Sequence, residues 1–465
     1  MRRILTKTLL TILTLQAFAV SARAYSIKLE IRNLPDQYVY LAQYHGMKIP
    51  ITIDSVKCKN GIAEFKGTNT LPQGIYCIYI YTEDKGRWTT GEKLFDFHFA
   101  NNKKPLILST DMNDPLNHLT VSGDETSKSF NEAQKTILRY KTQLDEKSIV
   151  LLFAKHLNED SLAIRNEIDS INSLYLDFLQ SEMKKQKKGD FLYNLYMMTF
   201  SAQWADYNPI TDLDFSNPSM LNTPEYSFRR FIEKYCEKNI DAYADNILVA
   251  AANAEHLVHK TDPQSEFREQ ILDYLVVHYL YPYKQDLRLE YVACHLFDEY
   301  YKEKPRWMTD YDYSVLKWRY DNTKYNLIGM KGKDIVLPDQ NGHDQSLYGL
   351  KSKYKILVFW DSECEVCIEK VGYIQADYPS LKAMGAEVFA VYTEAEYDQW
   401  KQYIADNELN WINVSDPESV GTYDYDYGTY KTPRLYLLDE NNIIIAKDFD
   451  SSKIVELINK YEKGN

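Results

Sequence analysis

The chain has 465 residues, 45% hydrophobic and 14% aromatic, which excludes a disordered protein and supplies cores for two or three domains. Its 67 acidic residues against 54 basic ones give a formal net charge of −13, which opposes binding to phosphate backbones and anionic lipid. Nucleic acid is set aside as a partner.

The N-terminus opens with Arg2, Arg3 and Lys7, continues through a short apolar stretch from Thr8 to Val20, and reaches Ala22-Arg23-Ala24. That layout is a secretory signal with an A-x-A cleavage site after Ala24, the alternative being an uncleaved N-terminal anchor. The stretch is short of the roughly 20 apolar residues that span a bilayer. A signal peptide over residues 1–24 places the protein in the periplasm or cell envelope. An oxidising compartment in turn permits disulfides.

Residues 25–124 read as short alternating runs such as SIKLEIRNL, YVYLAQY and GIYCIYIYT, punctuated by Asn, Gly, Pro and Asp. This is the spacing of an all-β, sandwich-like domain. Lys59-Asn60-Gly61 reads as the turn of a hairpin. No catalytic constellation occurs there.

Residues 125–302 change to a helical period, with apolar positions at i, i+3, i+4 and i+7, and predict an all-α domain. His256 and His259 stand one helical turn apart, and Cys294 adjoins His295. None of these has a carboxylate or thiol companion at ligand spacing, so no metal site is assigned. A linker, 303–326, carries Pro305 and Trp307.

From Leu327 onward strands and helices alternate, which predicts an α/β domain over 327–465. In order come KDIVLPDQNG, the buried strand YKILVFW, a helix from Cys364, the strand AEVFAVYT, the helix EAEYDQWKQYIADN, PRLYLLDENNIIIAKDF with a turn at Asn441-Asn442, and a last helix. Cys364 and Cys367 lie at the first strand-to-helix junction as C-x-x-C. Three readings compete for that pair: a redox couple, half of a zinc site, and a structural disulfide. Zinc calls for further ligands, and this segment offers no other cysteine and only His343. A bridge closing so small a loop removes little entropy from the unfolded chain. Dithiol exchange fits best, with Cys364 at the helix N-cap, where free N–H groups and the helix dipole favour a thiolate, and Cys367 shielded one turn on. The remaining cysteines, Cys58, Cys77, Cys236 and Cys294, read as buried small hydrophobes, with a Cys58–Cys77 bridge as the alternative for that pair.

Thr432-Pro433 precedes the late apolar strand, and with it the segment resembles the thioredoxin-like reductases of the TlpA/ResA class. The resemblance covers Leu327 to Lys460 and rests on strand-FW-x-x-x-C-x-x-C-helix followed by that proline. It implies a thioredoxin fold, thiol-disulfide oxidoreductase activity without an organic cofactor, and Cys364 and Cys367 as catalytic residues. It implies a cis-Pro433 beside the cysteines, with Thr432 and Pro433 binding the substrate chain. Disulfide-bearing proteins are then the substrates, and a membrane-bound electron donor re-reduces the pair. The upstream β-rich and helical segments resemble extensions found on exported members of the class.

The chain departs from the class at several positions. Glu363 and Val366 stand where many members have Trp and Pro, and Lys370 stands where they carry an acidic residue, leaving Glu369, one residue earlier, as the candidate proton acceptor. Val358 occupies the position of the aspartate buried in thioredoxins proper. The competing reading is an envelope-associated binding or scaffold protein whose thioredoxin-like unit serves as a docking surface.

Overall fold

The computed structural model describes residues 25–81, 83–84, 87–88, 91–101, 104–156, 161–203, 217–282 and 286–464, so the signal-peptide stretch 1–24 lies outside the described residues. The chain divides into two compact units, one ending at Phe231 and the other beginning at Ile232. The division falls inside the stretch expected as one helical domain. Among the described residues no helix is long and apolar enough to cross a membrane.

Among the described residues of the first unit, the strands precede the helices. The strands are β1 (Tyr25–Arg32), β2 (Gln37–His45), β3 (Lys48–Cys58), β4 (Ile62–Gly67), β5 (Gly74–Ile80), β6 (Glu83–Asp84), β7 (Arg87–Trp88), β8 (Glu92–Phe99), β9 (Leu106–Asp111) and β10 (Thr120–Ser122). They build two four-stranded sheets, β10-β9-β1-β4 and β3-β2-β5-β8, and the ladder β6-β7. Period-2 alternation along β1 and β9 sends Ile27, Leu29, Leu106 and Leu108 inward, where they meet Val39, Leu41, Tyr76, Ile78, Phe95 and Phe97 of the other sheet in one apolar core. Each such side chain contributes roughly 1.5–3 kcal/mol by leaving water. Helices α1 (Glu125–His156), α2 (Leu162–Lys184) and α3 (Phe191–Gln203) follow.

The expected hairpin at residues 59–61 is corrected in part. Asn60 and Gly61 have positive φ of 51° and 75°, and Lys59 and Ile62 exchange backbone hydrogen bonds of 3.0 and 2.9 Å, so the tight turn forms. Its arms nevertheless enter different sheets, β3 pairing with β2 and β4 with β1. The turn is pressed against β1: Ile31 N donates to Gly61 O at 2.7 Å, and a side chain at 61 would strike the Ile31 carbonyl.

Helix α4 (Glu225–Asn239) spans the division between the units. The second unit then has α5 (Ile247–His259), α6 (Glu266–Leu280), α7 (Glu290–Tyr300) and α8 (Asp310–Asp321). The stretch expected as a linker, 303–326, thus holds a helix. Thr309 caps it by accepting from Asp312 N at 3.1 Å.

Strands β11 (Val336–Pro338) and β12 (Asp344–Ser346) form a ladder beside a five-stranded sheet of order β15-β14-β13-β16-β17. Its strands are β13 (Tyr354–Trp360), β14 (Ala386–Tyr392), β15 (Ile412–Ser415), β16 (Arg434–Asp439) and β17 (Ile444–Lys447), with helices α9 (Glu365–Ala383), α10 (Tyr397–Asp406), α11 (Tyr423–Asp426) and α12 (Ile454–Gly464). β13 runs parallel to β14 and antiparallel to β16. All seven residues of β13 are buried, as a central strand covered on both faces requires. One face packs Val358, Trp360, Val371, Ile374 and Ile454; the other packs Leu357, Phe359, Phe389, Tyr427 and Tyr436.

Candidate active site

The apolar run of β13 ends at Trp360, and the chain turns through Asp361, whose Oδ1 accepts from Glu363 N at 2.8 Å, into α9. Cys364 takes the N-cap position with extended backbone, φ −87° and ψ 107°, and its Sγ accepts from Cys367 N at 3.2 Å. The first sulfur therefore sits where unpaired helix N–H groups point. Cys364 is half-buried, whereas Cys367 is wholly buried among Trp360, Val371 and Leu435.

Burial pushes the Cys367 thiol up to about 12, helped by its hydrogen bond with Cys364 and that residue's charge. Hydrogen bonds from the Asp361 main chain and the Thr432 side chain pull the other way. The two cysteines thus differ in access, and the buried one is held as a thiol.

Thr432 and Pro433 are joined by a cis peptide bond directly before β16. In the β13–β16 ladder Arg434 lies opposite Phe359, so the strands' pairing carries Pro433 to the end of β13 where the cysteines begin. A cavity of about 350 Å³ opens on the same loop, lined by Thr393, Glu394, Asp416, Tyr423, Tyr430 and Thr432 among others.

The candidate proton acceptor Glu369 lies on α9 just beyond the pair. It is exposed and accepts from Tyr373 Oη at 3.1 Å, one turn further along. Two residues past Cys367 is about 200° around a helix, so Glu369 faces solvent when Cys367 faces the core. Val358 is buried in the apolar core below.

The other cysteines are free and buried. Cys58 belongs to the core between the two sheets, whereas Cys77 lies between Tyr76 and Ile78 on β5 and faces away from that core, with Sγ 3.6 Å from Ala42 O. Strand alternation thus parts the two, and the alternative bridge is not formed. Burial raises all four thiols, Cys77 to about 12. His259 Nε2 lies 3.3 Å from Tyr300 Oη, and His295 Nε2 lies 3.1 Å from Glu255 Oε1.

Sequence reasoning missed the surroundings of the proline loop. Arg434, 2% exposed, donates to Tyr436 Oη at 2.6 Å and lies over the rings of Tyr430 and Tyr436 at 5.6 and 5.4 Å. Trp318 and Arg319 of α8 also meet Tyr430. One signal was available: Thr309-x-x-Asp312 is the spacing of a helix N-terminal box.

The profile of the AhpC/TSA family matches residues 328–447, and a domain of unknown function, DUF4369, matches residues 25–130. Thiol-disulfide oxidoreductase ResA of Bacillus cereus is 25% identical over 122 residues, 26% of this chain and 68% of that protein. Among solved structures, a domain of a possible thiol-disulfide isomerase from Cytophaga hutchinsonii is 32% identical, over 30% of this chain and 95% of that one, with a TM-score of 0.29. A thioredoxin-like protein from Bacteroides caccae is 19% identical over 58% of this chain and 94% of that one, with a TM-score of 0.41.

Proposed function

We propose that this protein, which through residues 328–447 belongs to the thioredoxin-like thiol-disulfide oxidoreductases related to ResA, is an exported reductase of protein disulfides working through Cys364 and Cys367. The Cys364 thiolate attacks one sulfur of a substrate disulfide, forming a mixed disulfide and releasing the other substrate sulfur as a thiol. Cys367 then gives up its proton and attacks Cys364, releasing the second substrate thiol. Two electrons pass to the substrate, and the Cys364–Cys367 pair is left oxidised.

Thr432 and Pro433 hold the substrate chain beside the sulfurs. The signal peptide carries the protein to the periplasm or cell envelope, and a membrane-bound donor returns the pair to the dithiol. Within this reading residues 25–124 and 125–302 are extensions of the catalytic domain at 327–465.

One observation carries the assignment of roles: Cys364 is accessible at a helix N-terminus, whereas Cys367 is buried and kept protonated. The test is trapping. Cys367→Ser accumulates mixed disulfides through Cys364, and Cys364→Ser accumulates none. Equal trapping by both variants reverses the roles. A partner retained by the double cysteine variant, with no exchange activity in the wild type, returns the protein to the scaffold reading.

A further inference from the structure

The loop that carries Thr432-Pro433 rests on a part of the chain outside the thioredoxin-like segment. The Tyr430 ring, two residues before Thr432, meets the Trp318 indole at a centroid distance of 4.7 Å and an interplanar angle of 63°. The guanidinium groups of Arg319 and Arg434 lie 5.4 and 5.6 Å from the centre of the same ring. Edge-to-face aromatic pairs and cation–π contacts of this kind fix a ring's orientation beyond what burial alone does.

Two backbone contacts extend the seat. Gly428 has φ +60°, and a Cβ there would strike the carbonyl of Asn322, at the C-terminal cap of α8. Asn326 Nδ2 donates to Asp426 O at 3.4 Å. Arg319 is itself held, its Nε donating to Leu280 O at 3.0 Å and its guanidinium lying 5.5 Å from the centre of the Tyr281 ring. The chain from Asp426 to Arg434 thus runs along α8 and its cap on one side and presents the cis-proline on the other.

We propose that Trp318 and Arg319 of helix α8 are positioning residues for disulfide reduction, setting through Tyr430 the loop whose Thr432 and Pro433 bind the substrate chain. This rests on the functional reading above and adds that part of the substrate-binding surface is specified by sequence preceding the thioredoxin-like segment. Neither residue takes part in the sulfur chemistry.

The experiment uses the full chain, Trp318→Ala, Trp318→Phe and Gly428→Ala, and intact insulin, with its interchain disulfides, as the protein disulfide. Trp318 is 48% exposed, so its truncation opens no core cavity. Loss of one aromatic pair predicts a KM for insulin raised roughly two- to tenfold in Trp318→Ala, with kcat, the glutathione equilibrium and the Cys364 alkylation rate moving by less than about twofold. Trp318→Phe, which keeps an aromatic edge, restores the KM. Gly428→Ala raises the KM from the loop side. A KM unchanged in both Trp318→Ala and Gly428→Ala overturns the proposal. So does a glutathione equilibrium that shifts along with the KM, since that reports loosened cysteines rather than a displaced loop. A wild type that reduces no disulfide overturns the functional reading and this proposal together, whereas an active wild type with unaffected variants overturns this proposal alone.

Discussion

Lys447, the last residue of β17, forms an ion pair with Glu290, the first residue of α7, and the two side chains are only 1% and 2% exposed. Lys447 Nζ also donates to the backbone and side-chain oxygens of Asn326, each at 3.1 Å, and Arg319 lies 3.4 Å from the other Glu290 oxygen. Burial pushes the Lys447 ammonium down, and the Glu290 carboxylate holds it up. The pair thereby ties a helix before the thioredoxin-like segment to that segment's edge strand.

Breaking such a pair from one side leaves a charge buried without its partner, which costs about 3–5 kcal/mol, whereas replacing both members by apolar groups is often neutral. Glu290→Leu and Lys447→Met should therefore each lower the unfolding free energy of this unit by about 3 kcal/mol. Glu290→Leu/Lys447→Met should recover most of it, with a coupling of at least about 2 kcal/mol. Urea unfolding of the four proteins completes the cycle. Additive losses would show that the two charges do not support one another.

His98 gives the first unit a different dependence. It is fully buried, its Nδ1 3.2 Å from Ser127 Oγ, between the rings of Phe130 and Phe191. Burial drives it down to about 4, against a smaller opposing pull from Asp124. Its folded value lies below its unfolded one, so between the two the unfolded chain binds the extra proton. The stability contributed by neutral His98 is complete above pH 6.5 and is lost as the pH falls toward 4. Unfolding free energy should decline across that window with up to about 1.4 kcal/mol per pH unit owed to this residue. His98→Gln should remove about one proton from the uptake on unfolding; an unchanged uptake would place the titration elsewhere.

How much of this was legible follows the range over which each feature is encoded. Cys364, Cys367 and Pro433 stand at strand ends that the apolar runs YKILVFW and RLYLLD mark locally, and the antiparallel β13–β16 pairing brings those ends together. The turn at Asn60-Gly61 was equally local, yet the sheet each arm joins depends on β1 and β2, which no pattern within residues 48–67 encodes. Helix α8 was obscured because its DYDYSVLKWRYD sequence puts tyrosines and aspartates on every side, leaving no apolar stripe, and only the Thr309-Asp312 spacing remained. Lys447 and Arg434 read as ordinary strand residues. Lys447 is buried against Glu290 of α7, far away in sequence, and Arg434 against Tyr430, Tyr436 and Asp448.

The burial contrast among the thiols predicts a labelling order. In the native reduced protein at pH 8, iodoacetamide should modify Cys364 alone, because Cys367 and the four remaining cysteines are buried and their thiols raised. All six should react in denaturant. Peptide mapping of the singly labelled protein decides it, and native labelling of Cys367 ahead of Cys364 would contradict the described geometry.

The last prediction concerns the resolving step. Three causes hold Cys367 up: burial first, then its hydrogen bond with Cys364, then the charge on Cys364. When Cys364 is bound to substrate it carries no charge and its sulfur is already bonded, so the second and third causes weaken, while burial persists. The thiol should then fall from about 12 but stay above its ordinary 9.0. Below that value the thiolate fraction grows tenfold per pH unit, so resolution should accelerate with a logarithmic slope near +1. Reaction of the reduced protein with an aromatic disulfide reagent separates the steps, since each releases one coloured thiolate, and the second release reports Cys367. We expect that phase to climb steadily between pH 6 and 8.5. Thr432→Val removes the hydroxyl that favours the thiolate and should slow the phase at each pH. A plateau below pH 8 would mean that the sulfur is already ionised in the mixed disulfide and that burial is not what restrains it.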